Sequence, residues 1–263
     1  MTRTLALLLA LTVMAVSGCR TWYDTKKYMK GSWEEARSWV DIQPTVDTDA
    51  YEFENPNQEK LALLFAPVDG PMGSLIRFLE DQDTSPEQEW IELLFLRFPW
   101  VNRVIVTDPE GNILTQEPAQ PFKRFSQPLV FEGVWRQTFL KTVADYPDLG
   151  PELYVGTPYF EDVDFKGLII AGFDPRSLMR LSPNPDELLI IHPGGGVWTA
   201  GGEVDEEGLL AVPWEEILTE DVQGQVKVGE KYYTWIARYI GQDSYIYATE
   251  SVDPEADGKL WWF

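Results

Sequence analysis

A single cysteine, Cys19, and a single histidine, His192, are all that a chain of 263 residues offers for soft chemistry. One thiol excludes an intrachain disulfide, and one imidazole excludes a histidine metal cluster or a coupled histidine pair. A Ser-His-Asp triad would have to use His192, and the Gly-x-Ser-x-Gly elbow that presents such a serine is missing. The run Pro193-Gly194-Gly195-Gly196 lacks the Lys-Ser/Thr ending of a phosphate loop and reads as a hairpin turn. Basic residues are scarce: 21 Lys and Arg face 43 Asp and Glu, for a net charge of −22. So acidic a surface repels nucleic acid and anionic headgroups, and neither is expected as a partner. Carboxylates are plentiful, yet nothing in their spacing selects a pair for acid-base work. No enzymatic activity, no metal site and no cofactor are expected.

What the chain does contain begins at its start. Arg3 precedes the apolar run Leu5 to Val16, broken only by Thr12. A run of about a dozen apolar residues is short of the roughly 20 that a membrane span needs, and fits a secretory signal. Its exit, Val16-Ser17-Gly18-Cys19, resembles the bacterial lipobox. That resemblance implies a signal peptide over residues 1–18, a diacylglyceryl group on the Cys19 thiol, and acylation of the new amino terminus. Acyl chains contribute about 0.8 kcal/mol per buried CH₂, enough together to hold the protein on a membrane. Residue 20 is Arg, not the Asp that resembles an inner-membrane retention signal, so the expected location is the outer membrane, facing the periplasm. Loss of Arg3 with the signal would bring the net charge to about −23.

Residues 19–58 read as a lipidated tether, with scattered aromatics (Trp22, Tyr23, Trp33, Trp39) and then a polar, Pro-containing stretch. The rest is rich in core material: 44% apolar, with 11 Trp, 11 Tyr and 13 Phe. Lys60 to Phe65 and Gly73 to Glu80 read as two short helices. A stronger helix is expected after Ser85-Pro86-Glu87-Gln88, with Ser85 as N-cap and Pro99 as its stop. Val101 to Thr107 and Asn112 to Gln116 read as a hairpin about Asp108-Pro109-Glu110-Gly111. Phe131 to Ala144 has helical spacing. Leu153 to Phe160 and Gly167 to Phe173 form a second strand pair around an acidic loop, followed by a short helix capped by Asp174. After Ser182-Pro183-Asn184-Pro185 the pattern restarts with strands at 187–192 and 197–199, a helix at 212–218 and a meander over 223–250, turning at Gly229-Glu230 and Gly241-Gln242.

This succession resembles the extracytoplasmic Cache sensor domains. The likeness is carried by Phe98-Pro99-Trp100-Val101 through Leu114, by Leu153 to Tyr159 with Gly167 to Asp174, and by Leu188 to Val197, which repeats the opening. It implies an α+β fold of tandem PAS-like antiparallel sheets with flanking helices, a first unit over 59–182 and a second, reduced unit over 183–263. It also implies a pocket on one face of the first sheet for a small organic ligand. Amino-acid-binding members of the family carry an Arg-x-Trp-Tyr cluster on the helix after the first hairpin. Here Trp135-Arg136 stands in reversed order, without the Tyr.

The ligand-binding residues so implied are Trp135, Arg136, Tyr154, Tyr159 and Asp162. Arg136 would pair a ligand carboxylate, the aromatics would wall the pocket, and Asp162 or Asp164 would meet an ammonium. The same residues equally suit core packing and a solvated loop, and the loop supplies too few oxygens for Ca²⁺. The function expected is capture or sensing of a small metabolite by a membrane-anchored lipoprotein. Within the sequence no kinase or methyl-accepting segment follows the second unit, so signalling is expected to need a partner receptor. The alternative is a structural lipoprotein that docks another envelope protein, suggested by the terminal Leu260-Trp261-Trp262-Phe263.

Overall fold

Six apolar residues spaced by three and four (Leu61, Leu64, Val68, Met72, Leu75, Leu79) form one buried stripe along helix α1, Pro56–Glu80. The structure is a computed structural model, and it describes residues 53, 55–123, 138–143, 150–194 and 196–253. Cys19, residues 19–52 and 54 of the expected tether, Trp135, Arg136 and the aromatic tail lie outside the described residues, whereas positions 56–58, expected in the tether, open α1. Asn55 caps α1 by accepting the Gln58 N–H at 3.0 Å, and Pro56 takes the first helical position.

The two short helices expected in this region are therefore one, with Pro67 and Pro71 inside it. An interior proline costs about 3 kcal/mol. Each buried apolar side chain of the stripe returns roughly 1.5–3 kcal/mol, so six of them outweigh two prolines. By length and mean hydropathy α1 is able to cross a membrane. In the fold it packs on β-strands of both sheets as a core helix.

Helix α2 is Gln88–Arg97. It starts later than expected: Glu87, not Ser85, holds the cap position, without a side-chain bond. Its buried side is also narrower, since Leu93 and Leu96 are exposed.

The first sheet contains β1 (Arg103–Thr107), β2 (Ile113–Glu117), β3 (Phe139–Val143), β4 (Glu152–Glu161) and β5 (Asp164–Phe173), in spatial order β2-β1-β5-β4-β3, antiparallel throughout. Residues 139–143 were expected within a helix. They instead pair with β4 from Phe139↔Gly156 to Val143↔Glu152. The Phe139 ring fills the space above Gly156, where a Cβ would sit 2.4 Å from the ring. Cross-strand bonds on the open side of β4 override a helical spacing that no intact apolar stripe supports.

Short helix α3, Pro175–Met179, follows, capped by Asp174 as expected. The second sheet has β6 (Leu189–His192), β7 (Gly196–Thr199), β8 (Gln223–Val228), β9 (Lys231–Ile240) and β10 (Asp243–Ser251), in order β7-β6-β10-β9-β8. The five-strand order of the first sheet is thus repeated, across 189–251 instead of 103–173. Helices α4 (Glu206–Leu210), which the sequence reading did not anticipate, and α5 (Trp214–Glu220) lie between β7 and β8.

Side-chain alternation assigns the faces. Val104, Val155, Ile169 and Phe173 of the first sheet join Ile190, Trp198 and Tyr247 of the second in one core with the α1 stripe. The opposite face of the second sheet is filled by Leu209 of α4 and Trp214 of α5. The opposite face of the first sheet carries Ile105, Phe139, Tyr154, Leu168 and Ile170, and a set of buried charges.

Candidate functional site

Arg103, Gly172 and Tyr154 stand side by side on adjacent strands β1, β5 and β4. Gly172 lies between two long side chains and has none of its own. A Cβ there would meet the Tyr154 ring at 3.0 Å, the Glu152 carboxylate at 3.2 Å and Arg103 Cβ at 3.3 Å. The glycine makes a trough in the sheet across which Arg103 Nη1 donates to the Tyr154 hydroxyl at 3.0 Å. Arg103 Nη2 donates to Gln116 Oε1 of β2 at 3.3 Å and to the Lys123 carbonyl at 2.8 Å. Glu152 Oε2 lies 4.0 Å from Arg103 Nη1 and 3.9 Å from Lys123 Nζ. Lys123 also donates to the carbonyls of Gly150 at 2.8 Å and Pro151 at 3.0 Å, which brings the chain after β2 over this face.

Arg103, Glu152 and Tyr154 are 2%, 4% and 3% exposed. Charges are rarely buried so fully unless paired. Among the described residues two cations here share one carboxylate, and both ion pairs are long. Burial, and next the Glu152 carboxylate, push the Tyr154 phenol well above its ordinary range and keep it protonated as a donor. Chemically, forked guanidinium donors beside a phenol suit an anionic group of modest size.

The structure separates the tyrosines proposed from sequence. Tyr154 and Tyr159 are five positions apart on β4, so they point to opposite faces. Tyr159 packs in the core shared with α1 and donates to the Thr107 carbonyl at 3.5 Å. Asp162 forms the tip of the β4–β5 hairpin with φ of 58° and is exposed, away from Tyr154. Trp135 and Arg136 lie outside the described residues. Sequence reasoning missed Arg103, Gln116, Lys123 and Glu152. The available signal was parity: Arg103 shares a face with Ile105 in a strand whose next three residues are apolar.

No protein-family model matches the sequence, and no curated protein matches it. Solved structures do match. An extracellular ligand-binding receptor from Desulfohalobium retbaense is similar with a TM-score of 0.57 at 14% identity, over 76% of this chain and 41% of that one. The ligand-binding domain of the Pseudomonas fluorescens chemoreceptor CtaA in complex with L-isoleucine is similar with a TM-score of 0.50 at 13% identity, over 82% and 100% of the two chains. Its complex with L-valine gives 0.51 at 12% identity, over 75% and 96%. The fold is Cache-like. The chain thus spans less than half of the Desulfohalobium receptor chain and nearly the whole of the CtaA domain. In the Cache-like frame, the Arg103–Tyr154 cluster lies on the face of the first sheet turned away from the long helix.

Proposed function

We propose that this chain is a lipid-anchored, periplasm-facing domain that binds a small organic metabolite bearing a carboxylate, for sensing or capture. The observation that carries the reading is the buried Arg103 guanidinium beside the Tyr154 phenol, across a trough made by Gly172. The ligands named for the CtaA structures, L-isoleucine and L-valine, support a carboxylate as the shared feature. Tyr154, Trp135 and Arg136 are proposed as ligand-binding residues. Tyr159 and Asp162 are left out of the proposed site, since Tyr159 packs in the core with α1 and Asp162 is at the exposed hairpin tip. A partner receptor would carry any signal onward.

Isothermal titration with amino acids, simple carboxylates and amines tests the proposal. A carboxylate-bearing compound is expected to bind saturably, and Arg103→Gln to weaken it about tenfold or more, as loss of a charge-assisted hydrogen bond does. Binding by none of them, or equal binding by the variant, overturns the reading. The anchor is tested separately: mass spectrometry of the mature amino terminus is expected to show an acylated Cys19, and Cys19→Ser to release the protein into the soluble fraction.

A further inference from the structure

Two features of this chain play no part in the site of the first sheet: an open groove beside β8, and the run Leu260-Trp261-Trp262-Phe263. The groove lies between the start of α1 and strands β8 and β9, with a volume of about 340 Å³. It is on the α1 side of the second sheet, where Ile236 packs against the shared core. Ala62 and Phe65 of α1 and Ile236 of β9 are only partly buried, so apolar surface stays open there. None of the described residues that line the groove is charged, in a chain of net charge −22. That lining suits an apolar occupant. β8 is also the edge of its sheet, with no strand on its outer side among the described residues. Native proteins commonly cover such an edge.

We propose that Leu260–Phe263 fold back into this groove and cover the β8 edge. Reach selects this occupant over a free ligand or a partner. Val252 donates its N–H to Asn57 at 3.4 Å and its carbonyl accepts from Asn57 at 3.3 Å, which holds the end of β10 against the first turn of α1. Thr249 of β10 stands opposite Thr234 of β9, and Thr234 stands opposite Gln225 of β8. Thr234 and Gln225 both line the groove. Two strand spacings of about 4.8 Å and three residues of strand put it about 15 Å from Val252. Residues 253–259 span up to about 23 Å when extended, so Leu260 arrives with slack. A segment tethered so closely acts at an effective concentration on the order of millimolar, well above that of a typical free partner. The inference does not rest on the site of the first sheet.

Crosslinking in the full chain tests it, with Cys19→Ser to remove the native thiol. Gln225→Cys on the groove rim and Lys259→Cys beside the apolar run are expected to be joined within one molecule by a short bismaleimide. Two further variants are expected to lower that yield about tenfold while keeping the circular dichroism spectrum. One carries Leu260→Ser, Trp261→Ser, Trp262→Ser and Phe263→Ser together, which leaves the tether but removes what would bind. The other carries Ala62→Arg, which puts a charge into the groove at a partly exposed position with a good helix former. A yield unchanged by either variant would mean that the two cysteines meet by chance collision, and overturns the proposal. So does a crosslink that forms only between two molecules, or none at all.

Discussion

Arg103 occupies the first position of a strand whose five residues are all buried, and its charge is met by Glu152, Tyr154, Gln116 and the Lys123 carbonyl. Removing one partner of a buried ion pair strands the other in a dry setting. Arg103→Ala is therefore expected to cost about 3 kcal/mol in urea unfolding, and Arg103→Met with Glu152→Gln to recover part of it. An additive double variant would show that the two side chains do not interact. Gly172→Ala is expected to cost about 1–3 kcal/mol by crowding three neighbours at once, and to weaken carboxylate binding with it. Tyr154 supplies a pH test. Its folded phenol holds its proton above the ordinary value of 10.0, so the unfolded chain releases that proton first as pH rises. The stability it contributes is complete below pH 10 and is lost above it. Tyr154→Phe is expected to flatten part of the alkaline decline in unfolding free energy; an unchanged slope would place the decline on Tyr245 and Tyr247, which are shifted in the same direction.

At the scale of elements, α1 shows how far local signals reach. Pro67 and Pro71 mark a break in any isolated peptide, and reading them as one split a continuous helix into two pieces. The stripe Leu61 to Leu79 runs through both prolines because sheets on the other side reward every apolar turn. Leu75→Ala, at a fully buried position, is expected to cost about 2–5 kcal/mol, whereas Pro71→Ala is expected to raise the thermal midpoint. A lowered midpoint for Pro71→Ala would mean that the proline ring itself contributes to packing. β3 gives the converse lesson. Its spacing suggested a helix, and only the unpaired side of β4 decided for a strand.

The whole molecule carries a net charge of −22, and its self-repulsion opposes compactness. Raising sodium chloride from low levels to about 0.5 M, where the Debye length falls to a few ångströms, is expected to raise the thermal midpoint. A midpoint that falls would show that the ion pairs such as Lys60–Glu187 outweigh the repulsion. Much of the architecture was legible in the chain. The hairpin at Asp108–Gly111, the long β4–β5 pair, the Asp174 cap and the meander that ends the second sheet follow from alternation and turn chemistry that act within a few residues. Tertiary structure alone decided what meets across strands: that Arg103 reaches Tyr154 over Gly172, that Tyr159 turns away from Tyr154, and that an uncharged groove opens between α1 and the edge strand β8. Local sequence governs dihedral preference and face, whereas register between distant segments is set by the shared burial of side chains that are far apart along the chain.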